Sequence, residues 1–194
     1  YSRSSEPEGM VTHHGGSSSS SGRKRPLRAK PQGGLEGQEQ WVSRFATMSP
    51  CEAFSWLVHP MSVEDFLEQY WEKKPLHLSR GEPSRFGDLL PESVIEQQLR
   101  SREGLTFGQD INVARCGADG LQVMCNGTGR ADASAVARKV KEESCSVQVV
   151  HPQRFSAPLA ALMARLEAHV GCLWGANSFR TPSGGMGFKA HHDE

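Results

Sequence analysis

Apolar residues recur in this chain with two different periods. A spacing of three and four marks helices. "MSVEDFLEQYWEKK" (61–74) places Phe66, Leu67, Tyr70 and Trp71 on one face. Ser62 stands at its cap position with Asp65 answering, Met61 and Phe66 are spaced as a hydrophobic staple, and Pro75 closes the segment. Upstream, "SPCEAFSWLVH" (49–59) opens with Ser49 as cap, Pro50 at the first helical position and Glu52 completing a capping box. The clearest helix is "SAPLAALMARLEAHVG" (156–171), with Leu159, Leu162, Met163, Leu166 and Val170 as its buried stripe. Ser156 can cap it, Gly171 suits a left-handed end, and His169 faces the negative end of the dipole. "PESVIEQQLR" (91–100), with Val94, Ile95 and Leu99 inward, and "DASAVARKVKEE" (132–143) complete the helices.

A spacing of two marks strands. "CSVQVV" (145–150) sets Cys145, Val147 and Val149 against Ser146 and Gln148, the pattern of a half-buried strand. "LTFGQDINVARCG" (105–117) reads as extended, with "LQVMCNG" (121–127) as its hairpin partner; "PLHLSR" (75–80) and "CLWGANSF" (172–179) read as further strands. Helices come first, then strands, with one helix crossing between them. The fold class is α+β.

Neither period is present before about Trp41. Residues 1 to about 40 read as a disordered tail, with the low-complexity spacer "GGSSSSSG" (15–22) and too few apolar side chains to offset ordering entropy. The tail also holds "RKRPLRAK" (23–30), which fits either a solvated basic run or a nuclear-localisation patch. Residues 41–194 form the ordered domain. The tail explains why only 37% of the 194 residues are hydrophobic. The 22 basic residues equal the 22 acidic ones, so net charge argues for neither a nucleic-acid nor a membrane partner. No run approaches the roughly 18 apolar residues of a membrane span. The five cysteines include no C-x-x-C pair, and free thiols in a reducing compartment fit them best. The chain starts at Tyr1 rather than Met, as expected of a piece of a longer protein.

Chemistry concentrates at "FRTPSGGMGFKAHHDE" (179–194). On a strand His191 and Asp193 share a face, while His192 and Glu194 take the other. An imidazole and a carboxylate so placed can hold neighbouring positions on one metal ion, two thirds of the facial triad of non-haem iron(II). Alone, H-x-D fits an ordinary polar strand end better than a metal site, and a zinc hydrolase is a competing metal reading. The small residues of "GANS" (175–178) leave room above a sheet, and "TPSGGMG" (181–187) can turn the next strand back beside it.

"GANSFRTPSGGMGFKAHHD" resembles the iron-binding segment of the JmjC ribosomal oxygenases, whose pattern is close to G-S-N-x-Y-x-T-P, a glycine-bearing loop and H-x-D. "HPQRFSAPLAALMARLEAHVG" resembles the helix before that segment, and "MSVEDFLEQYWEKKPLHL" the opening of the family domain, so the likeness covers about residues 50 to 194.

The resemblance implies an N-terminal part of a cupin-type double-stranded β-helix, a jelly roll, preceded by helices. It implies Fe(II) held by His191 and Asp193, with 2-oxoglutarate and O2 as cosubstrates. It implies a protein substrate: a histidine of a ribosomal protein, a methylated histone lysine, or both. Asn177 matches the family asparagine that hydrogen-bonds near the substrate. Phe179 stands where the family usually has tyrosine, which keeps the wall and removes a hydroxyl. Arg130 matches an arginine near the substrate cleft. The distal iron histidine, the lysine that pairs with 2-oxoglutarate and the dimerisation region, with its expected homodimer, lie beyond residue 194 in the family, so the chain by itself is expected to be inactive. Family habit and "RKRPLRAK" together suggest a nuclear or nucleolar location, with cytoplasm or mitochondrion as alternatives. The rival reading is a cupin-derived module that docks a ribosomal or chromatin partner without redox chemistry.

Overall fold

A computed structural model describes residues 35–82, 85–117 and 119–189. All of them belong to one compact unit, Pro31–Glu194. Six helices are present in the described residues: α1 (Leu35–Thr47), α2 (Pro50–Val58), α3 (Val63–Gln69), α4 (Glu92–Arg100), α5 (Ala133–Glu142) and α6 (Ala157–Val170). Four strands form one antiparallel sheet: β1 (Ile111–Cys116), β2 (Gln122–Met124), β3 (Ser146–Val150) and β4 (Asn177–Arg180). Their order is β2-β1-β3-β4. The architecture is mixed α+β.

The helix caps fold as their sequences specify. Ser49 Oγ accepts from the Glu52 amide at 3.2 Å while the Glu52 carboxylate accepts from the Ser49 amide at 2.7 Å, a complete capping box. These two bonds lower the Glu52 pKa below the ordinary carboxylate value. Ser62, Asp132 and Ser156 cap α3, α5 and α6, and Gly171 ends α6 at φ 81°, where a side chain would be strained.

Two apolar clusters form the core. The first joins α1, α2, α3 and α6 through Phe45, Phe54, Trp56, Val63, Leu162 and Leu166. Arg165 on α6 ties this cluster to α1 by donating to the Phe45 and Ala46 carbonyls at 3.0 and 2.9 Å, two of the acceptors that a helix end leaves open. His169, expected to answer the helix dipole, also stacks on Phe54 with centroids 4.7 Å apart. The second cluster packs Leu99 of α4 and Val136 of α5 on Ile111, Val113, Val147 and Val149 of the sheet.

Several elements differ from their sequence reading. Helix begins at Leu35, ahead of Trp41. The helix read over 61–74 stops at Gln69, after which Glu72 adopts φ 55°; Leu67, read as part of its apolar face, is 44% exposed, and Trp71 stacks on Trp174. Residues 75–80 are not a strand: they join no ladder, and Arg80 instead donates to the carbonyls of Leu57 (2.7 Å) and His59. The strand read over 172–179 begins only at Asn177. Two helices, α5 and α6, cross between strands rather than one.

Candidate functional site

Strand alternation divides the sheet into two unlike faces. The pairs Ile111↔Val149, Val113↔Val147, Val147↔Arg180 and Val149↔Ser178 define one of them. This face is covered by α4 and α5, with a cavity of about 730 Å³ between helices and sheet, rimmed by Glu92, Glu96, Lys141 and Arg180. The pairs Asn112↔Gln148, Gln148↔Phe179 and Val150↔Asn177 define the other. Asn177 and Phe179 therefore share a face, as alternation required, and the cavity lies on the opposite one.

The second face carries a row of side-chain amides whose orientation is fixed by the backbone. The Val113 amide N–H can only donate, and it donates to Asn126 Oδ1 at 2.7 Å. Asn126 must then present its NH2, which donates to Asn112 Oδ1 at 3.0 Å. Asn112 Nδ2 in turn donates to Gln148 Oε1 at 3.0 Å. The row ends on Gln148 Nε2, a two-proton donor beside Phe179 in the register. One backbone donor thus sets the polarity of three side chains. Gln148 belonged to the polar half of an alternating segment, whereas Asn112 lay in a segment read only as extended; neither reading gave their pairing.

The loop after β4 closes back over this face. Ser146, fully buried on β3, sets its hydroxyl 3.0 Å from Thr181 Oγ1 and 3.1 Å from the Met186 carbonyl. Gly185 is closely enclosed here: a Cβ would sit 3.1 Å from Pro182 Cγ and 3.2 Å from the Ser144 carbonyl. Phe188 then packs edge-on against Phe179, centroids 5.4 Å apart, and the Lys189 amide donates to Gln122 Oε1 on β2 at 2.7 Å. Residues 186–189 so run from β4 to β2 across this face.

His191 and Asp193, the expected metal ligands, lie outside the described residues, as do His192 and Glu194. Arg130 is described: its guanidinium donates to the Ser101 carbonyl after α4, and its backbone bridges Thr106. At the sheet end nearest Asn177, the Asp110 carbonyl accepts from the Val150 amide, and the Asp110 carboxylate takes Arg154 and the Thr106 amide (2.8 Å). Burial pushes the Asp110 pKa up, but these two partners outweigh it and hold the group below its ordinary value. Among the described residues, one trio of His, Cys, Asp or Glu ligand atoms converges, Cys125, Glu143 and Cys145.

Fold and face together define an α+β protein with an amide-lined face on a four-stranded antiparallel sheet. No family model matches the chain. It is 33% identical to "Ribosomal oxygenase 1" of Gallus gallus over 164 residues, 84% of this chain and 27% of that protein. It is 33% identical to "Bifunctional lysine-specific demethylase and histidyl-hydroxylase NO66" of Aedes aegypti over 143 residues, 74% of this chain and 22% of the relative. With "Ribosomal oxygenase 2" of Rattus norvegicus it shares 33% identity over 149 residues, 75% of this chain and 31% of the relative. The chain belongs to the JmjC ribosomal oxygenase family. It spans between 22% and 31% of the length of these curated relatives.

Proposed function

We propose that this chain is part of an Fe(II)- and 2-oxoglutarate-dependent protein oxygenase that hydroxylates a histidyl side chain of a ribosomal protein, demethylates a histone lysine, or does both. The relatives' names supply the reaction class: one is a histidyl-hydroxylase and lysine-specific demethylase, and others are ribosomal oxygenases. The observation that carries the reading for this chain is the amide row, which ends on the Gln148 amide in register with Phe179, on the sheet face that residues 186–189 cross.

His191 and Asp193 are the residues proposed to hold the iron, which supplies activation of dioxygen with 2-oxoglutarate as reductant. The described residues bind and orient. Gln148 Nε2 can donate to an acceptor on the substrate, an imidazole nitrogen or a peptide carbonyl. The Asn177 amide offers both a donor and an acceptor from the exposed end of β4. Phe179 and Phe188 form an apolar wall against which a flat ring can lie. Holding the target carbon still is the protein's main contribution to such a reaction, since misplacement by about 1 Å can lower the rate about a hundredfold. Arg130, bonded to Ser101, would act at the cleft margin. The full cupin jelly roll, the homodimer and the nuclear or nucleolar location belong to the same proposal.

The experiment is peptide hydroxylation by the longer protein that contains this segment, read by mass spectrometry as the gain of one oxygen on histidine. The account expects oxygen incorporation that needs Fe(II) and 2-oxoglutarate and is abolished by His191→Ala or Asp193→Ala. Full activity in both variants would overturn it. Peptide binding without any iron-dependent turnover would favour the non-catalytic docking module.

A further inference from the structure

On the apolar side of the sheet, the thiols of Cys125 and Cys145 and the carboxylate of Glu143 converge, with ligand atoms all within 4.8 Å of one another. Three separate segments deliver them. Cys125 follows β2, and its amide donates to the Val113 carbonyl of β1 at 2.7 Å. Cys145 leads into β3, on the other side of β1. Glu143 is the C-terminal cap of α5, its amide bonded to the Lys139 carbonyl. Between Glu143 and Cys145, Ser144 adopts φ 53°, a left-handed conformation that a non-glycine residue takes only when its surroundings require it. That reversal is what lets residues 143 and 145 reach one point.

Both thiols are free, and a carboxylate converges on the same point, a third ligand that a disulfide has no use for and a metal ion does. Bonds of about 2.3 Å at tetrahedral angles hold two sulfurs roughly 3.8 Å apart, within the spread of these ligand atoms. Two sulfurs and one carboxylate suit zinc; calcium and magnesium take oxygen alone. Cys145 is fully buried, Cys125 half-buried and the Glu143 side chain 39% exposed, so solvent reaches the group from the carboxylate side. Lys139 Nζ stands 3.7 Å from Glu143 Oε2 and balances the carboxylate charge.

We propose that Cys125, Glu143 and Cys145 bind one Zn2+, with solvent in the fourth position, as a structural tie between the β2 end of the sheet and the α5–β3 corner. Binding converts both thiols to thiolates and releases their protons to solvent. No oxidation is involved. The site shares no residue with the proposed iron site and depends on no part of the oxygenase reading.

The test is a titration of the full chain with Cd2+, followed by the ultraviolet thiolate-to-metal charge-transfer band and then displacement by Zn2+. The chain carries Cys51→Ser, Cys116→Ser and Cys172→Ser to remove the other thiols, and His191→Ala and Asp193→Ala to remove the other ligand pair. Saturation at one equivalent is expected, with loss of the band on adding Cys125→Ser and at least about tenfold weaker binding on Glu143→Gln. Cys125 is half-buried, so its serine variant avoids disturbing the fully buried Cys145 position, and circular dichroism checks its fold. A second readout uses the unaltered chain: Zn2+ should shield half-buried Cys125 from alkylation while exposed Cys51 and Cys172 still react. Absence of a band, a band unchanged by Cys125→Ser, equal alkylation with and without zinc, or a Cys125–Cys145 disulfide in the folded chain would each overturn the proposal.

Discussion

The two faces of the sheet use alternate residues of the same strands but are held in different ways. Ile111, Val113, Val147 and Val149 are at most 6% exposed and lie under α4 and α5. Asn112 and Gln148, one position away from these, carry amides joined in a directed row, and Phe179 at the edge of that face remains 44% exposed. Burial of carbon supplies stability on the first face. On the second, hydrogen bonds supply orientation, which is worth little in net free energy but fixes where donors point. A fold that separates the two tasks can change its recognition surface without losing its core.

Substitutions on opposite faces test this separation. The largest effect is expected at Ile111, which is completely buried: Ile111→Ala should lower stability by about 2–5 kcal/mol, measured by urea denaturation. Asn126→Ala should lose about 1–3 kcal/mol, because it removes the acceptor of the Val113 amide and the first link of the row. Phe179→Ala, on the exposed edge, should cost no more than about 1 kcal/mol, and an effect as large as that of Ile111→Ala would erase the distinction between faces. The smallest effect is pH-dependent. The folded pKa of Asp110 is depressed, so its contribution is present above the unfolded value of about 3.9 and is lost as pH falls through the lower folded value. Asp110→Asn should flatten the acid limb of stability against pH in that window; an unchanged limb would remove Asp110 and Arg154 from the account.

The sequence was most informative where a rule is local. Ser49 with Glu52, Ser62 with Asp65, and Ser156 with Gly171 each act within four residues or one helix, and all form as read. Strand periodicity also placed Asn177 and Phe179 on one face. It failed where an element needs a partner. Residues 75–80 and 172–176 have strand-like composition but find no ladder, and the helix after Ser62 yields to Tyr70 and Trp71 turning into aromatic contacts. The amide row was invisible because it depends on register: nothing local says that Asn112 lies opposite Gln148, or that Asn126 returns to Val113. The cluster of Cys125, Glu143 and Cys145 was hidden for the same reason, since the cysteines come from segments on opposite sides of β1.

The central claim is that the amide face positions a protein substrate for the oxygenase reaction. The most direct measurement is the coupling ratio in Gln148→Ala of the longer protein that contains this segment: peptide hydroxylated per 2-oxoglutarate consumed. The account predicts that the ratio falls about tenfold, with 2-oxoglutarate consumption retained, because one orienting hydrogen bond of about 1.4 kcal/mol is lost while the remaining machinery stays intact. A ratio equal to that of the unaltered protein would contradict it.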